Sequence, residues 1–318
     1  MSAEFDLIQR HFTRATPGAV LGVGDDCALL APTPGMQLAV SSDMLLEGRH
    51  FSPYDSPAGI GHKSLAVNLS DLAAMGATPR WATLAIALPG IDDAWLQAFA
   101  RGFFRMADAH GIELVGGDTT RGALGIAITV LGEVPPGLAL RRSGALPGDD
   151  VWVSGLIGSA ALALAYRQGR LFMEQIDAAK LLPALYLPQP RVALGVALRG
   201  IATSAIDISD GLLGDLGHIL QASGVAATLT FVALPVAEVV RAYLVEPVAR
   251  ECVLAGGDDY ELCFTAPADR RDAVLAAASA ASVAVTRIGA VKSGAGIAIL
   301  DANGAPMAIE KTGYDHFA

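Results

Sequence analysis

A two-domain α/β fold is what this chain predicts, and three observations predict it. Apolar segments of strand length, rich in Val, Ile and Leu, alternate with segments whose apolar residues recur at helical spacing. A turn-rich stretch containing Pro135-Pro136-Gly137 interrupts that alternation near the middle. The 318 residues, 53% of them hydrophobic, are enough for two cores of ordinary size.

The first half reads ββαβαβ. Residues 20–31, 36–45, 81–88 and 125–134 predict strands, each bounded by turn residues. Residues 61–75 predict a helix with Leu65, Leu69, Leu72 and Met75 as its apolar stripe, and 92–110 predict a second, with Asp92 as N-cap and Gly111 as stop. The boundary is expected at residue 139, giving domains 1–139 and 140–318. After Gly148-Asp149-Asp150, which turns the chain into a strand at 151–153, the second half predicts helices at 158–169, 191–199, 211–223 and 268–280. Strands are expected near 203–208, 226–232, 260–266 and 284–291.

Composition excludes several classes of function. No uninterrupted apolar run approaches the roughly 18 residues that span a bilayer, so the chain is expected to be soluble with no membrane partner. Its first residues include Glu4 and Asp6 where a secretory signal carries positive charge, which predicts a cytoplasmic protein. Cys27, Cys252 and Cys263 are an odd set without CxxC spacing and predict reduced core thiols rather than disulfides or a zinc knot. A formal net charge of -10 opposes nucleic-acid binding, which depends on Lys and Arg meeting phosphates. The same charge does not oppose ATP, because Mg²⁺ can stand between carboxylates and a triphosphate.

The acidic residues are not scattered. They recur beside glycine or serine, as Gly24-Asp25-Asp26, Ser41-Ser42-Asp43, Asn68-Leu69-Ser70-Asp71, Gly116-Gly117-Asp118, Asp207-Ile208-Ser209-Asp210 and Gly256-Gly257-Asp258-Asp259. Hard oxygen donors next to small residues suit Mg²⁺ and a closely approaching polyphosphate, so a metal-dependent phosphoryl-transfer enzyme is expected. Each motif taken singly has a plainer reading. Asp25-Asp26 either face a cleft or form an ordinary turn; Ser41-Ser42-Asp43, with Arg49 and His50 following, is either a site or a helix cap. Asp71 shares a helix face with Asn68 and points either inward or to solvent. Residues 116–120 either wrap phosphate or make a left-handed turn. No Walker A loop and no GxGxxG is present, and the histidines lack zinc spacing, which predicts surface or helix-end positions for His11, His62, His110 and His218.

Taken together, GVGDDCALL, SSDMLLEGRHF, KSLAVNLSDLAAMGATP, GGDTTRG, RSGALPGDD, DISDGLLGDL, GGDDYEL and GYDHF resemble the thiamine-monophosphate kinase family, in that family's order from residue 22 to 317. The resemblance implies an aminoimidazole ribonucleotide synthetase-like α/β fold. Its N-terminal four-stranded sheet pairs with its twin in a homodimer, and a C-terminal α/β domain completes the nucleotide and substrate site. It also implies the transfer of phosphate from ATP to thiamine monophosphate with Mg²⁺. Asp26, Ser41, Ser42, Asp43, Asp71, Asp118, Asp207 and Asp210 then correspond to metal ligands; Gly117, Asp118, Arg142 and Ser209 to ATP contacts; His50, Asp258 and Tyr314 to contacts with thiamine monophosphate. Asp43, Asp71, Asp118 and Arg142 are the expected catalytic set. Family members commonly carry Glu where this chain has Asp258, and an aliphatic residue where it has Arg49, for which a solvent-facing position is expected. The alternatives are a cyclo-ligase of the same superfamily, a nucleotide-binding regulator without turnover, and a metal-dependent phosphatase.

Overall fold

The structure, a computed structural model, describes residues 3–308 together with 311 and 313. The chain divides into two compact units, residues 1–72 with 77–137, and residues 73–76 with 138–318. In the first the order is α1 (Ala3–His11), β1 (Gln37–Leu46), α2 (Pro57–Ala74), β2 (Thr78–Leu88), α3 (Asp93–His110), β3 (Glu113–Arg121) and β4 (Gly125–Val134).

Among the described residues, these strands form a four-stranded sheet in the order β1-β4-β2-β3, antiparallel except for the β2–β3 pair that α3 connects. The helices form for the reasons the sequence suggests. Asp92 accepts the N–H groups of Ala94 and Trp95 at 3.0 and 3.1 Å, and Gly111 ends α3 at φ 62°. Leu65, Leu69 and Leu72 of α2 and Leu96, Phe99 and Phe103 of α3 are buried, as are Leu84, Ile86, Ile126, Ile128 and Val130 of the sheet.

Three expectations fail here. Residues 20–31 are not a continuous strand: isolated bridges join Leu21 to Leu29 and Val23 to Asp25, pinching off a loop. Among the described residues β1 is paired with β4 alone, so this segment adds no strand to the sheet's β1 edge. Residues 116–120, expected either to wrap phosphate or to make a left-handed turn, instead lie within the edge strand β3, and the true order is αβαβαββ. Met75 lies beyond the end of α2 and is 38% exposed, so it is not part of the apolar stripe.

In the second unit the order is β5 (Asp150–Ser154), α4 (Ser159–Arg167), α5 (Gln175–Tyr186), α6 (Val192–Ala197), β6 (Ser204–Asp207), α7 (Leu212–Ser223), β7 (Ala226–Thr230), α8 (Glu238–Ala242), α9 (Pro247–Ala255), β8 (Leu262–Ala266), α10 (Arg271–Ala280), β9 (Val285–Lys292) and β10 (Gly296–Leu300). The strands form a sheet in the order β10-β7-β9-β5-β8-β6, with only β10–β7 parallel. Val151, Val153 and Ile206 of the sheet pack into one core with Leu162, Leu181, Leu216, Ile219 and Val253 of the helices. Helices α5, α8 and α9 and strand β10 were not anticipated; Pro183 inside α5 breaks the helical signal there.

Cys252 and Cys263 are buried, and burial raises their thiols, Cys252 to about 11 and Cys263 further. Cys27 is exposed in the 21–29 loop, contrary to the expectation of a core thiol. His62, expected at the surface, is buried on α2. No helix among the described residues is long and apolar enough to cross a membrane.

Gly148-Asp149-Asp150 is structural, as the sequence suggests. Asp149 accepts from Leu146 N–H at 3.0 Å and Thr203 Oγ1 at 2.7 Å, and buried Asp150 is ion-paired to Arg271 and Arg287. Burial pushes the Asp150 carboxyl up, but hydrogen bonds and charge from the two guanidinium groups outweigh it and hold the group below the usual carboxylate range. That stabilisation is complete above the unfolded-state pKa of about 4 and disappears as pH falls through the lower folded value. Asp150→Ala is therefore expected to cost about 2 kcal/mol at pH 7, with the difference shrinking in acid; urea unfolding of both proteins at pH 7 and in mild acid measures it.

Candidate functional site

In the first unit the polar residues gather where α2 lies against β1. Strand alternation sends Ser41 and Asp43 to one face of the sheet and Ser42 to the other. On the inner face the Ser41 hydroxyl donates to the Asp71 carboxylate, and the Asp43 N–H donates to Asn68 Oδ1 at 3.0 Å. Asn68 is fully buried and donates in turn to Ser64 O at 2.9 Å. The i, i+3 pair Asn68 and Asp71 therefore grips alternate residues of one strand, which decides the question left open by the sequence: Asp71 turns inward. Its carboxylate and the Asp43 side chain are half-buried on the inner face of β1.

His50 closes the turn after β1. Its Nδ1 accepts the Leu46 N–H at 3.0 Å while the His50 backbone N–H donates to Leu46 O at 2.9 Å. An accepting Nδ1 leaves Nε2 as the donor of the neutral ring. Arg49 beside it is exposed.

Not every expected residue joins this group. Ser42 is on the outer face, donating to Ile128 O and accepting from Thr129 Oγ1, both at 3.1 Å. Asp118 of β3 is in register with Ala85, Ala127 and Met44 across the sheet, so it also stands on the outer, exposed face. Its neighbour Gly117 is a site of close backbone approach: a Cβ there would meet Leu84 O at 1.8 Å. Asp26 is exposed in the pinched loop, where its N–H donates to Asp25 Oδ1 at 2.9 Å.

The second unit holds a separate polar centre at the ends of β6 and β8. The antiparallel pairing of these strands continues beyond them as backbone bonds: Ile208 N–H to Glu261 O at 2.7 Å, Tyr260 N–H to Ile208 O at 2.8 Å and Asp258 N–H to Ser209 O at 2.9 Å. The two acidic motifs are thus locked backbone to backbone. Gly257 permits it, because a Cβ there would meet Ser209 O at 2.2 Å. Asp207 is buried at the end of β6, while Ser209 and Asp210 are half-buried in the turn that follows. Arg142 is exposed, and its carbonyl accepts from Ser223 Oγ at 3.3 Å. Tyr314 lies outside the described residues.

Several residues that shape this centre were not singled out from sequence. Asp215 reaches back from the first turns of α7 to accept the N–H groups of Asp210 and Gly211 at 3.1 and 3.0 Å. Burial, with the negative charge of Asp210 adding, pushes its carboxyl up to about 7 against the pull of those backbone donors. Asp259 takes the Gly158 N–H at the start of α4 at 2.9 Å; desolvation first, then the charges of Glu261 and Asp258, raise its carboxyl well above the ordinary range. Glu261 is paired with Arg191 and accepts from Ser154 Oγ. The signal for all three acids was their place within or directly after an acidic motif, but not which of them would turn inward.

Every expected metal donor is a hard oxygen group. Among the described residues no group of three His, Cys, Asp or Glu side chains converges to hold a metal ion by itself. Mg²⁺ ordinarily takes one or two carboxylates and completes its shell with water and substrate phosphate, so the half-buried Asp43 and Asp71 beside the Ser41 hydroxyl fit that ion.

Comparison with known proteins agrees with this chemistry. Residues 24–134 match the family described as AIR synthase related protein, N-terminal domain, and residues 147–301 match AIR synthase related protein, C-terminal domain. The thiamine-monophosphate kinase of Salmonella typhimurium is 44% identical over 319 residues, covering 99% of this chain and 98% of the relative. The crystal structure of thiamine-monophosphate kinase from Stenotrophomonas maltophilia K279a matches with a TM-score of 0.87 at 48% identity, over 96% of this chain and 98% of that one. A further structure, AaThiL complexed with AMPPCP and TMP, matches with a TM-score of 0.78 at 28% identity, over 98% of this chain and 96% of that one.

Proposed function

We propose, from the premise that this chain belongs to the thiamine-monophosphate kinase family, that it moves the γ-phosphoryl group of ATP directly onto thiamine monophosphate, with Mg²⁺ as its metal. The chain is an ATP-dependent phosphotransferase that makes thiamine diphosphate. The observation that carries this reading is 44% identity to a kinase of that specificity along 99% of the chain.

The acceptor is a phosphate oxygen, already anionic near neutral pH, so no side chain has to remove a proton before attack. What the reaction needs from the protein is position and charge: two anions must be brought into line, and charge on the transferring group must be stabilised. Mg²⁺, when bound, supplies that neutralisation. In our reading Asp43 and Asp71 hold metal beside Ser41; ligand roles for Ser42 and Asp118, which face the other side of the sheet, and for Asp26, Asp207 and Asp210 rest on the family resemblance. Hydrogen bonding of the Asp71 carboxylate to Ser41 and of the Asp43 backbone to Asn68 supports this, because the first fixes one carboxylate and the second fixes the strand position from which the other projects.

Gly117, Asp118, Arg142 and Ser209 contact ATP, with Arg142 steadying the triphosphate. Residues His50, Asp258 and Tyr314 contact thiamine monophosphate. Residues 1–139 form the metal-binding and dimerisation domain, and 140–318 supply the remaining nucleotide and acceptor contacts. The protein works in the cytoplasm.

A homodimer through the first unit's sheet belongs to the same proposal. The outer face of the edge strand β1 exposes Leu38, Val40, Met44 and Leu46 at 43, 62, 60 and 44%, an apolar stripe of the kind a partner covers.

Asp71→Asn keeps the size of the side chain and an oxygen that can still accept from Ser41. It is expected to leave thermal stability near wild type and to raise the Mg²⁺ concentration for half-maximal activity about tenfold, the equivalent of about 1.4 kcal/mol. An unchanged Mg²⁺ titration in the folded variant would remove Asp71 from the metal site. Val40→Glu places a charge in the apolar stripe and is expected to yield monomers at micromolar protein in sedimentation equilibrium, where the unaltered chain sediments as a dimer.

A further inference from the structure

We propose that Tyr260 is a positioning residue for the acceptor: its hydroxyl sets the direction of the Asp258 carboxylate, and so governs affinity for the cationic part of thiamine monophosphate. The proposal rests on the reading that Asp258 meets that substrate. Asp258 and Tyr260 are two of three non-glycine residues with positive φ, at 70° and 50°, among the described residues. Such conformations are unfavourable for side chains beyond glycine, above all for a bulky one, and persist where surrounding structure over-determines them.

Here the over-determination is visible. Asp258 N–H is tied to Ser209 O and Tyr260 N–H to Ile208 O, with the Gly257 backbone pressed against Ser209 O between them. The backbone of residues 257–260 therefore has no freedom to aim the Asp258 side chain, and rotation about its own χ angles is what remains. Tyr260 Oη donates to Asp258 Oδ1 at 3.0 Å, which removes that freedom. The intervening Asp259 turns the other way, to the start of α4.

A purely structural role accounts poorly for this bond. Both residues are only half-buried, so neither polar group depends on the other to escape an unsatisfied interior. The charge pattern suits a cation as well. Of the three neighbouring acids, Glu261 is neutralised by Arg191, and Asp259 is directed at backbone N–H groups. The Tyr260 hydroxyl is a neutral donor, which orients the Asp258 carboxylate without adding a charge of its own. The thiazolium ring of thiamine monophosphate carries the complementary positive charge.

Calorimetric titration with thiamine monophosphate and, separately, with AMPPCP tests the proposal on Tyr260→Phe, Asp258→Asn and the double variant. Tyr260→Phe removes one hydroxyl from a half-buried ring. It is expected to weaken thiamine monophosphate binding roughly tenfold, with AMPPCP affinity and melting temperature unchanged, and the double variant should bind no more weakly than Asp258→Asn alone. Wild-type acceptor affinity in Tyr260→Phe alongside weakened binding in Asp258→Asn would overturn the positioning role and leave the Asp258 contact standing. Wild-type affinity in both would overturn the Asp258 contact and the proposal with it. A fall in AMPPCP affinity and melting temperature in Tyr260→Phe would mark the hydroxyl as structural.

Discussion

The backbone pairing that runs past the ends of β6 and β8 is the constraint on which the second unit's polar centre depends. Three N–H···O bonds between 208–209 and 258–261 hold two acidic turns against each other, closer than a Cβ at residue 257 would allow. Acidic segments repel, and a backbone ladder is one of the few ways to keep them together in the absence of cations. Once the ladder is set, the side chains have fixed destinations: Asp215 to the Asp210 and Gly211 amides, Asp259 to the start of α4, Glu261 to Arg191. Strained φ values at Asp258 and Tyr260 are the conformational cost of that arrangement.

The first unit solves the same problem with a helix face. Asn68 and Asp71 are one turn apart on α2 and meet Asp43 and Ser41, which are two residues apart on β1. The helical and strand repeats coincide over that short span, so two hydrogen bonds set the register between helix and strand and also place two carboxylates on one side of the sheet. A net charge of -10 makes such an arrangement unfavourable without cations, and Mg²⁺ together with a polyphosphate is the chemistry that suits it.

Much of this was legible in the chain, and the exceptions have physical causes. The helix ends at Asp92 and Gly111 were readable because a cap is a local interaction. The strand at 125–134 was readable because Val, Ile and Leu recur along it between turn residues, and in the fold buried residues alternate with half-buried ones along most of it. Residues 113–121 were not, since Gly116-Gly117-Asp118-Thr119-Thr120 has turn composition and becomes a strand only because β2 offers a partner at close backbone distance. Residues 20–31 failed in the opposite sense, with apolar composition and no partner strand. For the site, the hydroxyl and carboxylate motifs were visible, but alternation along β1 separates Ser42 from Ser41 and Asp43, and the register of β3 puts Asp118 on the outer face. Adjacency in sequence did not translate into adjacency in space at those positions.

The most direct test of phosphoryl transfer is to follow the transferred group itself. The protein is incubated with thiamine monophosphate, Mg²⁺ and ATP carrying heavy oxygen in its γ-phosphoryl group, and the thiamine products are weighed by mass spectrometry. Direct phosphoryl transfer predicts thiamine diphosphate bearing the heavy phosphoryl group, formed only when metal is present. Heavy inorganic phosphate accumulating beside unchanged thiamine monophosphate would contradict it.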